Sequence, residues 1–314
     1  MDLSIIIVNW NTKELLARCL ESIGASFVPQ DTKTVDLLAS REPISYEVFV
    51  ADNASTDGSA VMVREHFPEV HLIENSENVG FARANNQAIP QSTGRYMLLL
   101  NSDTEVHPGA LEELVQFMEA RSQVGGCGPR LLNADGSLQA SCHPMLTPGR
   151  EFWRLMFLDR IWRRATYDQQ RWDPSIPRQV EVIKGACFLL KREALDQVGL
   201  LDGQYFMYTE EMDLCYRLLQ AGWQLWWVPK AVVTHFGEAS SKQVAENMYI
   251  QLYRSKVQFH RKFGADRRAN RFKRLIILAY WPRWIVAVLV ARFQPKATAR
   301  ARTYRRLLAE LPTM

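Results

Sequence analysis

The sequence lacks the features of several protein classes. Its five cysteines stand singly and form no C-x-x-C pair, which argues against a disulfide framework or a structural zinc site and favours a reducing cytosol. The amino terminus, MDLSIIIVNWNT, has neither the basic segment nor the small-residue cleavage site of a signal peptide. Apolar residues make up 47% and charged residues 23% of the 314 residues, a composition that excludes a mainly disordered, collagenous or coiled-coil chain.

Signatures of dinucleotide-binding and nucleic-acid-binding proteins are also missing, although the charge distribution indicates a phosphate-rich partner. No G-x-G-x-x-G follows the first predicted strand, which argues against a dinucleotide-binding oxidoreductase, and no helix-turn-helix, RNA-recognition or zinc module is recognisable. Residues 254–306 carry 16 Lys and Arg with one acid, Asp266, whereas the rest of the chain has a balance of −11. Such a basic segment favours a phosphate-rich partner, either anionic lipid or nucleic acid.

Predicted strands alternate with predicted helices in the first hundred residues. Continuous apolar runs at 3–8, 46–51 and 96–100 are typical of strands buried on both faces of a sheet. Helices are predicted between them, at about 59–67 and 81–89. This alternation indicates βαβ crossovers and a largely parallel sheet.

Local patterns refine this outline. A further helix is predicted directly after the first strand, and Asn11 is predicted to cap it, with Glu14 three residues later as in a capping box. Pro108 is predicted to open a later helix. The segment 143–180 is rich in Pro, Arg and Trp, and its weak periodicity predicts a segment dominated by loops. From about residue 242 onward the pattern is helical.

Polar residues follow three of the predicted strands. Ligands of open α/β sheets bind at the carboxyl ends of strands, so Asn9 and Asp52 are candidates, and Asp52 could accept hydrogen bonds from a base or ribose. Asp103 follows the third strand, and its carboxylate could bind Mg²⁺ or Mn²⁺. Polar residues after a strand can instead be turn or cap residues without a ligand, and we assign that role to Asp57 and Ser59.

Acidic residues gather at the start of a helix predicted at 210–221. Glu210, Glu211 and Asp213 could simply complement the helix dipole, but the adjacent aromatic residues indicate a partly shielded pocket that would suit a general base. His235 follows an apolar run and could complete a metal site, although a lone histidine is more often structural.

Seven segments together resemble the inverting glycosyltransferases of family 2, and most closely its bacterial rhamnosyltransferase-like members. They fall within residues 3–241 and are, in order, SIIIVNWNT, DNASTDGS, NVGFARANN, LLLNSDT, GACFLLKREAL, MYTEEMDLCYRLLQAGW and VTHFGEASS. Each segment alone is moderately specific, and the seven in this order are highly specific.

The resemblance implies a GT-A fold, which is an α/β architecture with a Rossmann-like, mostly parallel central sheet flanked by helices. It implies a catalytic domain over 1–241, and we expect 242–314 to form a basic, amphipathic, helical and membrane-associating region. It also implies a divalent cation, Mg²⁺ or Mn²⁺, held by Asp103 and His235. The residues implied to bind the nucleotide sugar are Asn9, Asp52, Asn78, Gly80, Arg83, Asn86, Ser102, Asp103 and Glu210.

Three positions depart from the family pattern. Asn101 stands where many members have the first Asp of a D-x-D-like metal motif, which removes one charge from the metal site. The acidic pair is Glu210-Glu211 where Glu-Asp is usual, so the resemblance implies Glu211 as the base, with Glu210 and Asp213 as alternatives. The stretch 28–45 is longer than the usual connection.

The implied reaction transfers a sugar, with rhamnose as a candidate, from a dTDP- or UDP-linked donor to a saccharide hydroxyl. Glu211 would remove the hydroxyl proton as the oxygen attacks the anomeric carbon opposite the nucleotide, so one displacement inverts the configuration. The cation would offset the charge of the leaving diphosphate. Membrane association suggests a polyprenyl-diphosphate-linked acceptor in cell-surface polysaccharide assembly.

Two apolar runs in the basic region, 275–281 and 284–291, are separated by Pro282 and Arg283. Together they approach the ~20 residues of a membrane span, but the basic flanks and the tryptophans at the break favour helices in the membrane interface. We therefore expect 254–306 to contact an anionic membrane surface, as a peripheral or monotopic protein on the cytoplasmic face of the inner membrane. Packing on the catalytic domain or a dimer contact is the alternative.

Two other functions compete with this interpretation. Processive polysaccharide synthases carry several membrane spans and a Q-x-x-R-W motif after the acidic segment, whereas the similar string at 169–172 has the wrong spacing and precedes that segment. A nucleic-acid- or membrane-binding protein without transferase activity would use the basic tail alone, and we expect no nucleic-acid partner.

Overall fold

The computed structural model describes residues 1–27, 43–161, 165–237 and 244–314, which form two compact units. Most of the long stretch 28–45 and the end of the last family segment lie outside the described residues. The first unit comprises Met1–Pro144, Asp168–Phe206 and Glu210–Ser240, and the second comprises Met145–Tyr167, Met207–Thr209 and Ser241–Met314.

The strands of the first unit form a mixed sheet. They are β1 (Leu3–Asn9), β2 (Tyr46–Asp52), β3 (His71–Glu74), β4 (Tyr96–Asn101), β5 (Thr104–Val106), β6 (Val124–Leu132), β7 (Leu138–Gln139), β8 (Cys142–His143), β9 (Arg178–Gln179), β10 (Val182–Ile183), β11 (Cys187–Lys191) and β12 (Gln224–His235). Within the described ranges, the main sheet has the order β3-β2-β1-β4-β11-β6-β12-β5, with β7 beside β6 and β9 beside β12. β8 and β10 pair separately.

The amino-terminal half of this sheet is parallel. β1 pairs in parallel with both β2 and β4, and β2 with β3. β1 and β4 are buried along almost their whole length, which is why their sequences are continuous apolar runs. β11 then runs antiparallel to β4 and β6, whereas β12 is parallel to β6. The predicted, mostly parallel α/β sheet is confirmed.

Helices flank the strands in the first unit and dominate the second. In the described residues they are α1 (Lys13–Ser26), α2 (Ser59–His66), α3 (Phe81–Ala88), α4 (Ala110–Glu119), α5 (Pro148–Leu155), α6 (Arg192–Val198), α7 (Glu210–Gln220), α8 (Ala245–Ala291) and α9 (Pro295–Glu310). Only α5, α8 and α9 belong to the second unit.

Two predicted helix starts are wrong. Asn11 does not cap α1, because its backbone is left-handed, with φ of 51°, and its Oδ1 accepts a hydrogen bond from the backbone N–H of Thr56. Pro108 does not open α4, which begins at Ala110 after a left-handed Gly109. In both cases a turn occupies the positions that the sequence pattern assigned to the helix.

The segment 143–180, predicted to be dominated by loops, contains an α-helix, α5. Pro148 occupies the first turn of this helix, and the Thr147 side chain accepts a hydrogen bond from the backbone N–H of Arg150. With only eight residues, α5 is too short for the apolar periodicity on which the prediction relied.

The second unit has its own apolar core. Tyr253, Phe272, Ile276 and Leu307 are buried in it. α8 bends at Gly264 and Ala265, where the helical backbone dihedrals are interrupted, and it continues through Pro282. By length and composition alone α8 could cross a membrane, and 22% of its most apolar window is buried.

A buried ionic cluster joins α5 to α8 in the second unit. Lys256 Nζ lies 2.9 Å from Glu151 Oε1, and Arg154 Nε donates to Glu151 Oε2 at 3.0 Å. Burial alone would raise the pKa of Glu151, but the positive charges of Lys256 and Arg154 outweigh it and lower that pKa to about 2. In the folded state the Glu151 carboxylate therefore stays ionised at pH values well below the ordinary pKa of 4.5.

We predict that Glu151→Gln lowers the free energy of unfolding by about 3 kcal/mol at pH 7, because it leaves the Lys256 ammonium buried without its counter-charge. The wild-type advantage exists above pH 4.5, the ordinary pKa, and is lost as pH falls towards 2. Urea denaturation across this range measures it, with the exposed Glu69→Gln as control. A difference that does not change with pH would contradict an ionised Glu151.

Candidate functional site

A buried carboxylate lies at the carboxyl ends of β1 and β2, where Asn9 stands opposite Asp52. Asp52 is 3% exposed. Its Oδ1 accepts a hydrogen bond from Asn9 Nδ2 at 2.8 Å, and its Oδ2 accepts one from the backbone N–H of Ser55 at 2.9 Å. Because a carboxylate oxygen has two lone pairs, Asp52 can still accept hydrogen bonds from a ligand.

Two hydroxyl groups connect this carboxylate to the end of β4. Thr12 Oγ1 donates to Asn9 Oδ1 at 2.7 Å and lies 2.9 Å from Ser102 Oγ. Since the Thr12 proton is used on Asn9, Ser102 is the donor in the second bond. Ser102 is thereby held beside the Asn9–Asp52 pair.

A histidine and an aspartate meet at the next position along the same edge. His235, the last residue of β12, places Nε2 at 3.2 Å from Asp103 Oδ1, and Asn101 Nδ2 lies at 3.2 Å from the same nitrogen. The other ring nitrogen, Nδ1, lies 2.6 Å from Gln139 Oε1. Because an amide oxygen only accepts, Gln139 fixes the proton of the neutral ring on Nδ1 and leaves a lone pair on Nε2.

The Asp103–His235 pair fits a divalent cation. Two acceptor atoms 3.2 Å apart match adjacent ligands of an octahedral Mg²⁺ or Mn²⁺ ion, which lie about 3 Å apart when each metal–ligand distance is about 2.1 Å. In the described part of the chain, no group of three or more His, Cys, Asp and Glu residues could hold a metal. A cation here would take its remaining ligands from phosphate oxygens or water, as Mg²⁺ often does.

Sequence reasoning missed Gln139 and Lys184. Gln139 Nε2 donates to the backbone carbonyl of His235 at 3.0 Å, and Lys184 Nζ donates to Gln139 Oε1 at 3.1 Å. A glutamine in a two-residue strand carries no recognisable pattern. The signal for Lys184 was its position directly before the family segment GACFLLKREAL.

Gly80 is required by a close backbone approach. A Cβ atom at Gly80 would lie 2.3 Å from the backbone oxygen of Phe206, and that oxygen accepts a hydrogen bond from the N–H of Phe81 at 2.8 Å. Asn78 Oδ1 accepts from the N–H of Gly80 at 3.0 Å, and Asn53 Nδ2 donates to the Gly80 carbonyl at 3.4 Å. Asn53 thus links this turn to the residue next to Asp52.

Two further predicted site residues hold a neighbouring loop. Arg83 Nε donates to the carbonyl of Gly203 at 2.8 Å, and Asn86 Nδ2 donates to the carbonyl of Leu201 at 2.7 Å. Both side chains therefore tie α3 to residues 201–203. The contacts found for Arg83 and Asn86 are structural ones, which the sequence prediction of ligand binding did not include.

The acidic pair lies at the first turn of α7. Tyr208 and Thr209, just before it, have φ of 68° and 74°, which is rare for residues with a side chain. Glu210 is 5% exposed, and burial together with the Glu211 carboxylate raises the pKa of Glu210 well above its usual range. Glu210 therefore holds a proton more readily than an ordinary glutamate does.

Gly185 brings the acidic pair close to the end of β4. An added Cβ atom on Gly185 would be 3.7 Å from Glu211 Cβ and 3.8 Å from Phe81 Cε1. The next residue, Ala186, accepts a hydrogen bond from the backbone N–H of Asn101 at 3.0 Å. Glu211 therefore packs against the segment that borders Asn101, two residues before Asp103.

Asp213 has a different role from its acidic neighbours. It is fully buried, and its Oδ1 accepts from Arg217 Nε at 2.7 Å. The same guanidinium donates through Nη1 to the carbonyl of Val198 at 2.6 Å and through Nη2 to that of Leu200 at 2.7 Å. Asp213 thus orients an arginine that holds the loop after α6.

Comparison with known proteins identifies relatives of this chain. The model for glycosyl transferase family 2 matches residues 4–199. An N-acetylglucosaminyl-diphospho-decaprenol L-rhamnosyltransferase of Mycobacterium tuberculosis is 34% identical over 213 residues, which are 63% of this chain and 68% of the relative.

Two solved structures share the fold at 18% identity. A mannosyltransferase from Pyrobaculum calidifontis, in complex with GDP-Man and Mn²⁺, superposes with a TM-score of 0.54 over 98% of this chain and 85% of its own. GalNAc-T7 with UDP, GalNAc and Mn²⁺ gives a TM-score of 0.52 over 75% of this chain and 44% of its own.

Because Glu210 is buried, replacing it with a neutral side chain should stabilise the fold by an amount that depends on pH. Because the folded pKa is raised above the ordinary 4.5, the folded protein is destabilised relative to a neutral side chain as pH rises above that value. Glu210→Gln should therefore raise the unfolding free energy at pH 8 by at least ~1 kcal/mol and have little effect near pH 4. Thermal unfolding measures this, with Glu21→Gln on the exposed face of α1 as control. A loss of stability at pH 8 would mean that the Glu210 carboxylate is stabilised as the ion.

Proposed function

The chain belongs to glycosyl transferase family 2, and from this premise we propose that it moves a sugar, with rhamnose as the first candidate, to a hydroxyl of a lipid-linked saccharide. It is a glycosyltransferase with a GT-A-like fold, so the competing interpretation of a binding protein without transferase activity is set aside. The donor is a nucleoside-diphosphate sugar, dTDP- or UDP-linked, and the reaction inverts the anomeric carbon.

The convergence of three chemical groups at one edge of the sheet carries this proposal. Asp52 offers buried acceptor oxygens, Asp103 and His235 face each other at 3.2 Å, and Glu211 packs against Gly185 beside the end of β4. Nucleoside recognition, diphosphate neutralisation and deprotonation of a hydroxyl need these three kinds of group within the length of one substrate.

Asp52 and Ser102 suit the nucleoside part of the donor. The Asp52 oxygens keep lone pairs for the N–H of a base or the O–H of a ribose, and Asn9 holds the carboxylate in place. Arg83 and Asn86 support the pocket through the loop at 201–203, to which both donate hydrogen bonds. We propose the same indirect role for Asn78 and Gly80, because the backbone oxygen of Phe206 packs closely against Gly80.

Glu211 is the proposed catalytic base. Glu210 is buried with a raised pKa and Asp213 is engaged with Arg217, so Glu211 is the member of the acidic group that we assign as the base. Glu211 accepts the hydroxyl proton while the acceptor oxygen forms its bond to the anomeric carbon. The bond from that carbon to the diphosphate breaks, and the electron pair leaves with the nucleoside diphosphate.

Asp103 and His235 are the proposed ligands of a divalent cation, Mg²⁺ or Mn²⁺. When bound, the cation would supply positive charge to offset the negative charge of the leaving diphosphate. Gln139 would act on the metal indirectly, because it fixes the His235 proton on Nδ1 and leaves Nε2, 3.2 Å from Asp103 Oδ1, as an acceptor.

The lipid-linked acceptor is proposed from two independent observations. The mycobacterial relative, by its name, acts on an N-acetylglucosaminyl-diphospho-decaprenol. The basic region 254–306 has the charge expected of a segment that lies on an anionic membrane. Together they support a peripheral or monotopic enzyme on the cytoplasmic face of the inner membrane, with 1–241 catalytic and 242–314 attached to the membrane.

Incubation with a panel of nucleotide sugars and a polyprenyl-diphosphate saccharide tests the proposal through release of nucleoside diphosphate. We expect one donor to be used, and expect Glu211→Gln to lower its turnover by roughly 10²–10⁴ while donor binding is retained. Glu211→Asp should keep more activity than Glu211→Gln, because it preserves the carboxylate that is usual in the family.

Two outcomes of this experiment would contradict the proposal. If no donor in the panel is consumed with any acceptor, the assigned reaction is wrong. If Glu211→Gln turns over like the wild type, the base is another residue, and Glu210→Gln is then the variant to compare.

The metal proposal predicts that EDTA abolishes transfer and that Mg²⁺ or Mn²⁺ restores it. Gln139→Leu should weaken Mn²⁺ binding in the presence of nucleoside diphosphate by roughly 10–100-fold, because the His235 ring loses its orienting acceptor. Calorimetric titration of Mn²⁺ measures this independently of activity, and the exposed Gln179→Leu is the matched control. Unchanged Mn²⁺ affinity in Gln139→Leu would remove Gln139 from the site.

A further inference from the structure

A groove in the second unit combines apolar walls with two arginines. It has a volume of about 370 Å³ and is lined by Pro148, Gly149 and Phe152 of α5 and by Arg271, Arg274 and Leu275 of α8. The aliphatic stems of the two arginines extend its apolar surface, and both arginines are exposed to solvent.

The charges of Arg271 and Arg274 are not compensated by the protein. Some basic residues of the second unit have carboxylate partners, such as Arg254 with Glu310 at 3.0 Å. For Arg271 and Arg274, no hydrogen bond or ion pair is found within the described residues. They are three positions apart on one helix, so both guanidinium groups can reach the same ligand.

The groove opens onto an apolar stripe of the same helix. Leu278 and Trp281 continue the spacing of Arg271 and Arg274 along one side of α8 and are 57% and 55% exposed. Leu289, further along α8, and Phe293, just after the helix ends, are 51% and 86% exposed. A cationic end followed by an exposed apolar stripe matches a ligand with a phosphate head and a hydrocarbon chain, and does not match nucleic acid.

We propose that this groove is a binding site for an anionic glycerophospholipid, with the phosphate between Arg271 and Arg274 and an acyl chain along Leu275, Leu278 and Trp281. Paired guanidinium groups suit a phosphate because their planar N–H donors bind its oxygens in a bidentate manner. A general attraction of the basic region 254–306 to negatively charged membranes would involve no particular residue. The proposed site differs because two arginines make the headgroup contact. It does not depend on the proposed transferase reaction.

Vesicle flotation of the full chain tests the arginines against a charge-matched control. Phosphatidylcholine vesicles with and without phosphatidylglycerol are compared at low and high salt. The double variant Arg271→Gln/Arg274→Gln should lose roughly tenfold more affinity for phosphatidylglycerol than Arg300→Gln/Arg305→Gln, whose exposed arginines lie on α9. The difference should persist at high salt, since screening weakens only the diffuse part. Equal losses in the two double variants would overturn the proposal.

A second variant fills the groove without changing any charge. Gly149 lines the groove, and an added Cβ atom there meets nothing within 4 Å, so Gly149→Leu can fold normally. It should weaken binding to phosphatidylglycerol vesicles severalfold, whereas Gly24→Leu, at an equally open position of α1, should not. Circular dichroism checks that both variants are folded. Wild-type vesicle binding by a folded Gly149→Leu would show that no chain enters the groove.

A soluble short-chain phosphatidylglycerol separates a lipid site from a general phosphate site. Calorimetric titration should detect binding of this lipid to the wild type and its loss in Arg271→Gln/Arg274→Gln. Glycerol 3-phosphate, which carries the phosphate without acyl chains, should bind at least tenfold more weakly. Equal affinities for the two ligands would assign the arginines to free phosphates and overturn the lipid site.

Discussion

In-register parallel pairing at the carboxyl edge of the sheet is the constraint on which the site depends. Asn9 stands opposite Asp52 and Val8 opposite Asn101, so the residues after three strands emerge within hydrogen-bonding reach. A shift of one residue would turn the side chains of β1 to the other face and separate Asn9 from Asp52. Because β1 and β4 are buried on both faces, such a shift would also repack the core on both sides.

Burial at this edge gives each carboxylate a different environment, and the differences define the chemistry. Asp52 is surrounded by N–H donors, which stabilise it as a hydrogen-bond acceptor. Asp103 Oδ1 lies 3.2 Å from the unprotonated nitrogen of an imidazole, an arrangement that suits a shared cation. Burial and the neighbouring Glu211 carboxylate raise the pKa of Glu210, so the two members of the acidic pair differ in environment. Three carboxylic acids can thus serve three different functions at one edge of the sheet.

The sequence predicted those features that repeat or that follow a strand. Buried parallel strands appear as continuous apolar runs, and the polar residues after them meet because parallel strands end at one edge. Gln139 could not be found in this way, because its contact with His235 depends on how the hairpin of β6 and β7 returns to the sheet. The contacts of Arg83 and Asn86 are with backbone carbonyls more than a hundred residues away, which carry no pattern in the sequence.

The second unit uses its charges in two opposite ways, and the contrast explains its unusual surface. Lys256 is buried and neutralised by Glu151, so it contributes to packing within the unit. Arg271 is exposed without a counter-charge and is followed on its helix by exposed apolar residues such as Trp281. In water, the apolar residues of that surface gain nothing from exposure, and the neighbouring arginines gain only hydration. At a lipid interface the apolar residues can be buried while the arginines meet phosphate, so both parts of the surface are stabilised in the same orientation.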